Sequence, residues 1–235
     1  MLQLSDVWVS YGPVQVLNGI SFDVPAGKVI ALLGGNGSGK STTLKTIIGA
    51  VKAGAGSIRF NGDEICGLEP RQIVPRGISL VPQGRRIFAP LTVEENLRMG
   101  AFARRGRGDD ARDDYQRVYE RFPDIRQWLR RKGNALSVGQ QQLVAFARGL
   151  ISRPKLLLLD EPSSGLAPIL VERLGEIIKE LKDAGMTILL VEQNVHLGLS
   201  VADFGYILRD GKIAMAEPAA TLIGNDELIR HYLGG

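Results

Sequence analysis

The sequence predicts an α/β fold in which parallel strands alternate with helices, with a largely helical segment inserted midway. Three observations predict it. Val29–Leu33, Leu156–Leu159 and Thr187–Val191 are short, almost wholly apolar runs, of the kind that parallel strands covered on both faces require. Each is followed by polar or Gly-rich residues and then by a helix-like segment, the repetition of a layered α/β protein. Between Ile87 and Leu150 the pattern turns mostly helical, which reads as an insertion into the α/β core.

Taken in order, the first 60 residues read as strands and turns, with a helix expected to begin near Thr42. Gly56–Phe60 alternates and then meets Asn61-Gly62, a two-residue hairpin signal. The helical stretch is broken by Arg104–Asp110, where aspartates interleaved with Arg and Gly suggest a solvated loop rather than an RNA-binding tract. Leu170–Leu181 carries apolar residues at every third or fourth position, as an amphipathic helix does. Tyr206–Arg209 and Lys212–Met215 flank Asp210-Gly211, a second hairpin. No internal repeat or low-complexity tract interrupts this order.

Composition excludes several classes. Of 235 residues, 44% are hydrophobic and 23% charged, the balance of a globular chain rather than a disordered one. The longest apolar runs fall far short of the roughly 18–20 residues of a membrane span. Met1–Asp6 lacks the basic start of a secretory signal. Cys66 is the single cysteine, which excludes an internal disulfide and suits a reducing cytosol. The four-charge excess of Lys and Arg (29) over Asp and Glu (25) suits an anionic ligand or surface, and is too small to argue for nucleic acid.

Gly34-Gly35-Asn36-Gly37-Ser38-Gly39-Lys40-Ser41 matches G-x-x-x-x-G-K-[ST] in full. It follows the strand at 29–33 and precedes a helix, with Thr42 next in line. Such glycines let the loop curl so that successive backbone N–H groups bind phosphate oxygens, and the helix N-terminus adds its positive end. In this motif Lys40 reaches the β- and γ-phosphates of ATP, and the Ser41 hydroxyl ligates Mg²⁺. The motif therefore marks a nucleotide site.

Leu156-Leu157-Leu158-Leu159-Asp160-Glu161 supplies the second half. An apolar strand ending in an acid brings a carboxylate to the carboxyl edge of a parallel sheet, where open α/β sheets bind ligands. Asp160 is expected to hold Mg²⁺ through water. Glu161, aimed elsewhere, is the candidate general base for the attacking water. A third element, Leu136-Ser137-Val138-Gly139-Gln140, precedes a helical run. Ser137 and Gln140 form a capping box, and the same helix start could bind a phosphate of another molecule's nucleotide.

The P-loop, Gln83, Leu136–Gln140 and Leu156–Pro162, in this order, resemble an ATP-binding-cassette (ABC) ATPase over nearly the whole chain. Leu80–Phe88, Ser164–Pro168 and Leu190–Asn194 most resemble the F-type ATPase subunit of branched-chain amino acid importers. The resemblance implies a P-loop NTPase with a RecA-like parallel-sheet core and an N-terminal antiparallel β subdomain, over 1–86 and 151–235. The helical subdomain at 87–150 would carry the signature Ser137, Val138, Gly139 and Gln140. It implies that Tyr11 stacks on adenine, and that Gln83 senses Mg²⁺ and the nucleophilic water beside the groove for a membrane subunit. Two such subunits would face head to tail, each nucleotide lying between one P-loop and the other signature. The implied partners are transmembrane permease subunits, a second ABC ATPase subunit and, indirectly, a solute-binding protein, with no nucleic acid. The implied place is the cytoplasmic face of the cell membrane.

Three positions depart from the family pattern. Val138 replaces the first glycine of the signature, adding bulk at a helix start, so the signature is expected to be weakened toward the partner's nucleotide. Gln193 stands where most members carry a histidine; its amide can bond a γ-phosphate but cannot carry charge. His196, three residues on, reads as a surface residue. Ala167 replaces the usual aspartate of the loop after the acids. The leading reading is an importer's energising subunit, and a urea or amide importer fits the same residues. An exporter or lipid-extraction ATPase differs only in its permease, and Gln193 argues mildly against it. A soluble ABC ATPase acting on ribosomes or nucleic acid would need a second cassette or a long coiled-coil insertion.

Overall fold

The structure is a computed structural model, and it describes residues 1–104 and 112–224. The part of the Arg104–Asp110 interruption beyond Arg104 lies outside the described residues. Two sheets form the framework. Strands β1 (Leu2–Tyr11) and β2 (Val14–Val24) pair antiparallel, followed by β3 (Val29–Leu33) and helix α1 (Lys40–Ile47). Next come β4 (Ala55–Phe60), β5 (Asp63–Glu64), the single turn α2 (Pro70–Ile73) and β6 (Ile78–Val81). Phe60 pairs with Asp63 around Asn61-Gly62, the expected hairpin. The first sheet has the antiparallel order β2-β1-β4-β5.

The helical segment contains α3 (Val93–Gly100), α4 (Arg112–Arg121), α5 (Ile125–Trp128) and α6 (Val138–Ile151). Then come β7 (Leu156–Asp160), α7 (Pro168–Asp183), β8 (Thr187–Glu192), α8 (Val195–Val201), β9 (Phe204–Arg209), β10 (Lys212–Pro218) and α9 (Ala219–Ile223). The second sheet runs β10-β9-β3-β8-β7-β6. Its members from β9 to β6 pair in parallel, and only the β9–β10 hairpin at Asp210-Gly211 is antiparallel. The P-loop helix begins at Lys40, earlier than the expected Thr42, because Gly39 already serves as its N-cap at φ 108°.

The apolar runs are explained by what covers each face. Successive strand side chains point to opposite sides. Leu156 and Leu158 of β7, with Leu189 and Val191 of β8, join a cluster with α1 and the antiparallel sheet. Leu157, Leu159, Ile188 and Leu190 join a second cluster with Val144 and Phe146 of α6, Ile177 and Ile178 of α7, and Val93 and Leu97 of α3. β3, β7 and β8 are therefore buried at every position. The helical segment shares this second cluster with the sheet rather than enclosing a core of its own. Among the described residues no helix is long and apolar enough to cross a membrane.

Parallel register has a chemical consequence. The carboxyl ends of β3, β7, β8 and β6 lie along one edge, so the loops beginning at Gly34, Glu161, Gln193 and Pro82 gather there. Crevices at that edge are where open α/β sheets bind ligands.

Candidate functional site

The loop from Gly34 to Gly39 leaves β3 and enters α1 at that edge. Two glycines are demanded by space. A Cβ on Gly34 would stand 2.5 Å from both the Leu208 carbonyl oxygen and the Ser38 hydroxyl, and one on Gly39 would meet Leu17 Cδ2 at 2.6 Å. At Gly35 and Gly37, by contrast, a Cβ would meet nothing within 4 Å. The loop is packed on its protein side and open where a phosphate chain would lie. Ser38 Oγ is buried with no hydrogen-bond partner among the described residues. That hydroxyl lies on the packed side beside Gly34, so the phosphate cradle is the backbone of the open face at Gly35 and Gly37. The residues present fit a nucleotide's phosphates.

Lys40 is almost fully buried, and its ammonium is saturated by the protein. Nζ donates to the carbonyl oxygens of Gly34 at 2.9 Å and Gly35 at 2.8 Å, and stands 3.1 Å from Glu161 Oε1. An ammonium has three protons, so a phosphate that engages Lys40 must take the place of one of these partners. The other oxygen of Glu161, Oε2, accepts from Gln83 Nε2 at 2.7 Å. Glu161 is thus clamped between the lysine and a glutamine at the end of β6. Its backbone lies in the left-handed region, φ 43°, which strains a residue that is not glycine.

Beside it, Ser41 Oγ donates to Asp160 Oδ1 at 2.8 Å. Burial pushes the Asp160 carboxyl above its ordinary range; the Ser41 bond opposes this and the Glu161 charge adds to it. A hydroxyl and a carboxylate in contact, next to a phosphate cradle, are a donor set that Mg²⁺ accepts, because the ion keeps several waters and takes the rest of its oxygens from phosphates. Asn36, Gly37, Gly39, Lys40, Ser41, Thr42, Gln83 and Glu161 line one pocket of about 350 Å³.

Other expected site residues lie further out. Tyr11 is exposed at the end of β1, opposite Val14, and does not line the pocket; Val16, on the following strand, does. Gln193 is exposed just after β8, and His196 is exposed on α8. Ser137, Val138, Gly139 and Gln140 begin α6 outside the pocket. The capping box expected there is present: Gln140 N–H donates to Ser137 Oγ at 3.3 Å and Ser137 N–H to Gln140 Oε1 at 3.0 Å. Val138 is 43% exposed. A Cβ on Gly139 would lie 2.7 Å from Leu170 Cδ1, so close packing against α7 gives this glycine a structural reason to be there. Ala167 is the N-cap of α7 and supplies no side-chain bond to it.

Two neighbours of the site were missed in the sequence. Val16 carries no signal there, since nothing marks which hairpin residue meets the loop. Glu192 could have been found by the rule that singled out Asp160, an acid closing an apolar strand. Its side chain accepts the Ser163 N–H at 2.9 Å and the Asn194 N–H at 3.2 Å.

Comparison with known proteins agrees with this geometry. Residues 17–164 match the family model described as ABC transporter. Over 239 aligned residues the chain is 44% identical to the high-affinity branched-chain amino acid transport ATP-binding protein BraG of Pseudomonas aeruginosa, covering 100% of both. It is 34% identical to the lipopolysaccharide export system ATP-binding protein LptB of Haemophilus influenzae, covering 96% of this chain and 93% of that one. The crystal structure of MJ1267, an ATP-binding cassette of an ABC transporter, in its ADP conformation superposes with a TM-score of 0.86 at 27% identity, covering 100% and 99% of the two chains.

Proposed function

Because the chain belongs to the ABC transporter family and has its P-loop ATPase fold, and so is an ATP-hydrolysing transport subunit, we propose that it powers uptake of branched-chain amino acids through a membrane importer. The observation that carries the substrate class is the full-length 44% identity to BraG. A second reading, an export ATPase, is favoured by the 34% identity to LptB.

In the proposed cycle the backbone of Gly34–Gly39, Ser38 included, receives the phosphates of ATP, with Asn36 and Thr42 at the pocket's edge. Tyr11 stacks on the adenine from the end of the β1–β2 hairpin. Lys40 exchanges one protein acceptor for a phosphate oxygen, which frees Glu161 to take a proton from the attacking water. Ser41, Asp160 and Gln83 hold Mg²⁺, which would neutralise charge on the phosphates. Gln193 bonds the γ-phosphate through its amide. Ser137, Val138, Gly139 and Gln140 face the nucleotide of a second ATPase subunit.

We assign the transmembrane permease subunits to a groove of about 410 Å³ between α3, α6 and β6. Phe88, Met99 and Phe102 give it apolar walls, and Arg86 and Arg148 give it positive charge. Arg148 Nη1 is buried without a hydrogen-bond partner among the described residues, and its guanidinium lies 5.3 Å over the Phe88 ring. A docking segment that brought an acceptor would satisfy it. In this reading the protein works on the cytoplasmic face of the cell membrane, with a solute-binding protein acting on the permeases from outside.

The test is an affinity capture of the Glu161→Gln variant from detergent-solubilised membranes with Mg-ATP. Two permeases and a second ATPase, in an assembly that takes up leucine, isoleucine or valine, support the proposal. Capture with an export apparatus would replace it with the second reading.

A further inference from the structure

We propose that Glu192 is a positioning residue that holds Glu161 and Gln193 in one fixed relation across the end of the sheet. The inference rests on the roles just assigned to those two side chains. Glu192 closes β8 and is 1% exposed. Its Oε1 accepts the Ser163 N–H at 2.9 Å and its Oε2 accepts the Asn194 N–H at 3.2 Å; the Ser163 hydroxyl bonds to it as well. Ser163 follows Glu161 by two residues and Asn194 follows Gln193 directly. One carboxylate therefore ties together the loop that carries the base and the turn that carries the γ-phosphate amide.

The surroundings show why both loops need the tie. Glu161 sits at φ 43°, a conformation that persists only where neighbouring contacts over-determine it. Its own N–H donates to the Val191 carbonyl at 2.9 Å, and the Ser163 bond to Glu192 is the next rung of the same attachment. On the other side, Asn194 Oδ1 caps α8 through the Leu197 N–H at 3.0 Å. Gln193 is held between a strand end and a helix cap, with Glu192 bracing the turn from inside.

The residue type is specific. Two N–H groups arrive at two different oxygens, and only a carboxylate offers an acceptor at both; a glutamine would set its NH₂ against one of the donors. Burial pushes the Glu192 carboxyl above its ordinary range, and the Glu161 charge adds to this. An acid kept there against that cost points to the geometry it enforces.

The experiment compares wild type, Glu192→Gln, Glu161→Gln, Gln193→Ala and the double variant Glu192→Gln with Gln193→Ala, each purified with the subunits it retains from detergent-solubilised membranes. The expected result is that Glu192→Gln lowers kcat for ATP about tenfold, because small misplacements of reacting groups are costly. KM and ATP affinity should stay within about twofold of wild type, since the interaction is felt after binding. The loss should be smaller in a Gln193→Ala background, where one of the two braced groups is gone. An unchanged kcat in Glu192→Gln overturns the inference. So does a fall that merely matches the loss of folded, ATP-binding protein, or one that is fully additive with Gln193→Ala. If Glu161→Gln and Gln193→Ala themselves turn over at the wild-type rate, the site assignment fails first and takes the inference with it.

Discussion

Lys40 and Glu161 form a buried ion pair, Nζ to Oε1 at 3.1 Å, with their side chains 4% and 9% exposed. The phosphate-reaching cation and the proposed base neutralise each other before any ligand arrives. A phosphate that takes the place of Glu161 on Lys40 would therefore rearrange both groups at once. Glu161→Gln is expected to leave ATP affinity near wild type while lowering turnover by about 10²–10⁴-fold, the range of a general base. Equilibrium binding and steady-state hydrolysis on the same preparation check it.

Removing only the cation should have a different signature. Lys40→Met leaves the Glu161 carboxylate buried without its partner, which costs about 3–5 kcal/mol when a buried pair is broken. Adding Glu161→Gln to Lys40→Met should recover most of that stability while restoring no ATP binding. Urea midpoints of the three variants measure the cycle; equal midpoints for the single and double variants would mean that the pair is not a stability element.

Asp160 sets a pH-dependent trade between stability and function. Its native pKa lies above the unfolded value. As pH rises between the two, the unfolded chain gives up its proton while the native state keeps it, so this group's contribution to stability is full at low pH and declines until the native carboxyl ionises. Asp160→Asn cannot titrate. Its stability advantage over the nucleotide-free wild type, read from urea midpoints, should grow with pH across that window and level off once the native carboxyl has ionised, reaching about 0.5–2 kcal/mol, the common gain of a stabilising change. Mg²⁺-dependent turnover should be lost in the same variant.

At the signature, Val138→Gly should raise ATP turnover of the assembled complex. The valine is exposed at the first position of α6, so its removal leaves no cavity. An unchanged rate would show that the valine is benign.

In the groove, Arg148→Glu should abolish co-purification of the permeases while the variant still binds ATP. The Phe88 ring and the buried Nη1 favour a cation there and an acceptor on the partner. Permeases recovered in wild-type yield would remove the groove from the docking surface.

Most of the framework was legible because its causes are local. The three apolar runs are strands buried on both faces, and the Asn61-Gly62 and Asp210-Gly211 hairpins form at the expected dipeptides. The contact of Ser41 with Asp160 was legible as two motifs whose mechanism requires them to meet. The clamp of Gln83 and Lys40 on Glu161 was not, since it depends on the registers of β6, β7 and β3, which no short pattern encodes. The close approach of Leu170 to Gly139 was hidden for the same reason: two helix starts, remote in sequence, meet only once the sheet has set their spacing.

α6 is a spacer. Its 14 residues make a rod of about 21 Å at 1.5 Å per residue, with Ser137 at one tip and Arg148 near the other. Close to that second tip the rod rests on β6, where the Ser79 hydroxyl donates to the Gly149 carbonyl at 3.1 Å. A rigid helix packed along its length against the sheet therefore places the groove and the capping box at a fixed separation, and a ligand at either surface meets the same rod.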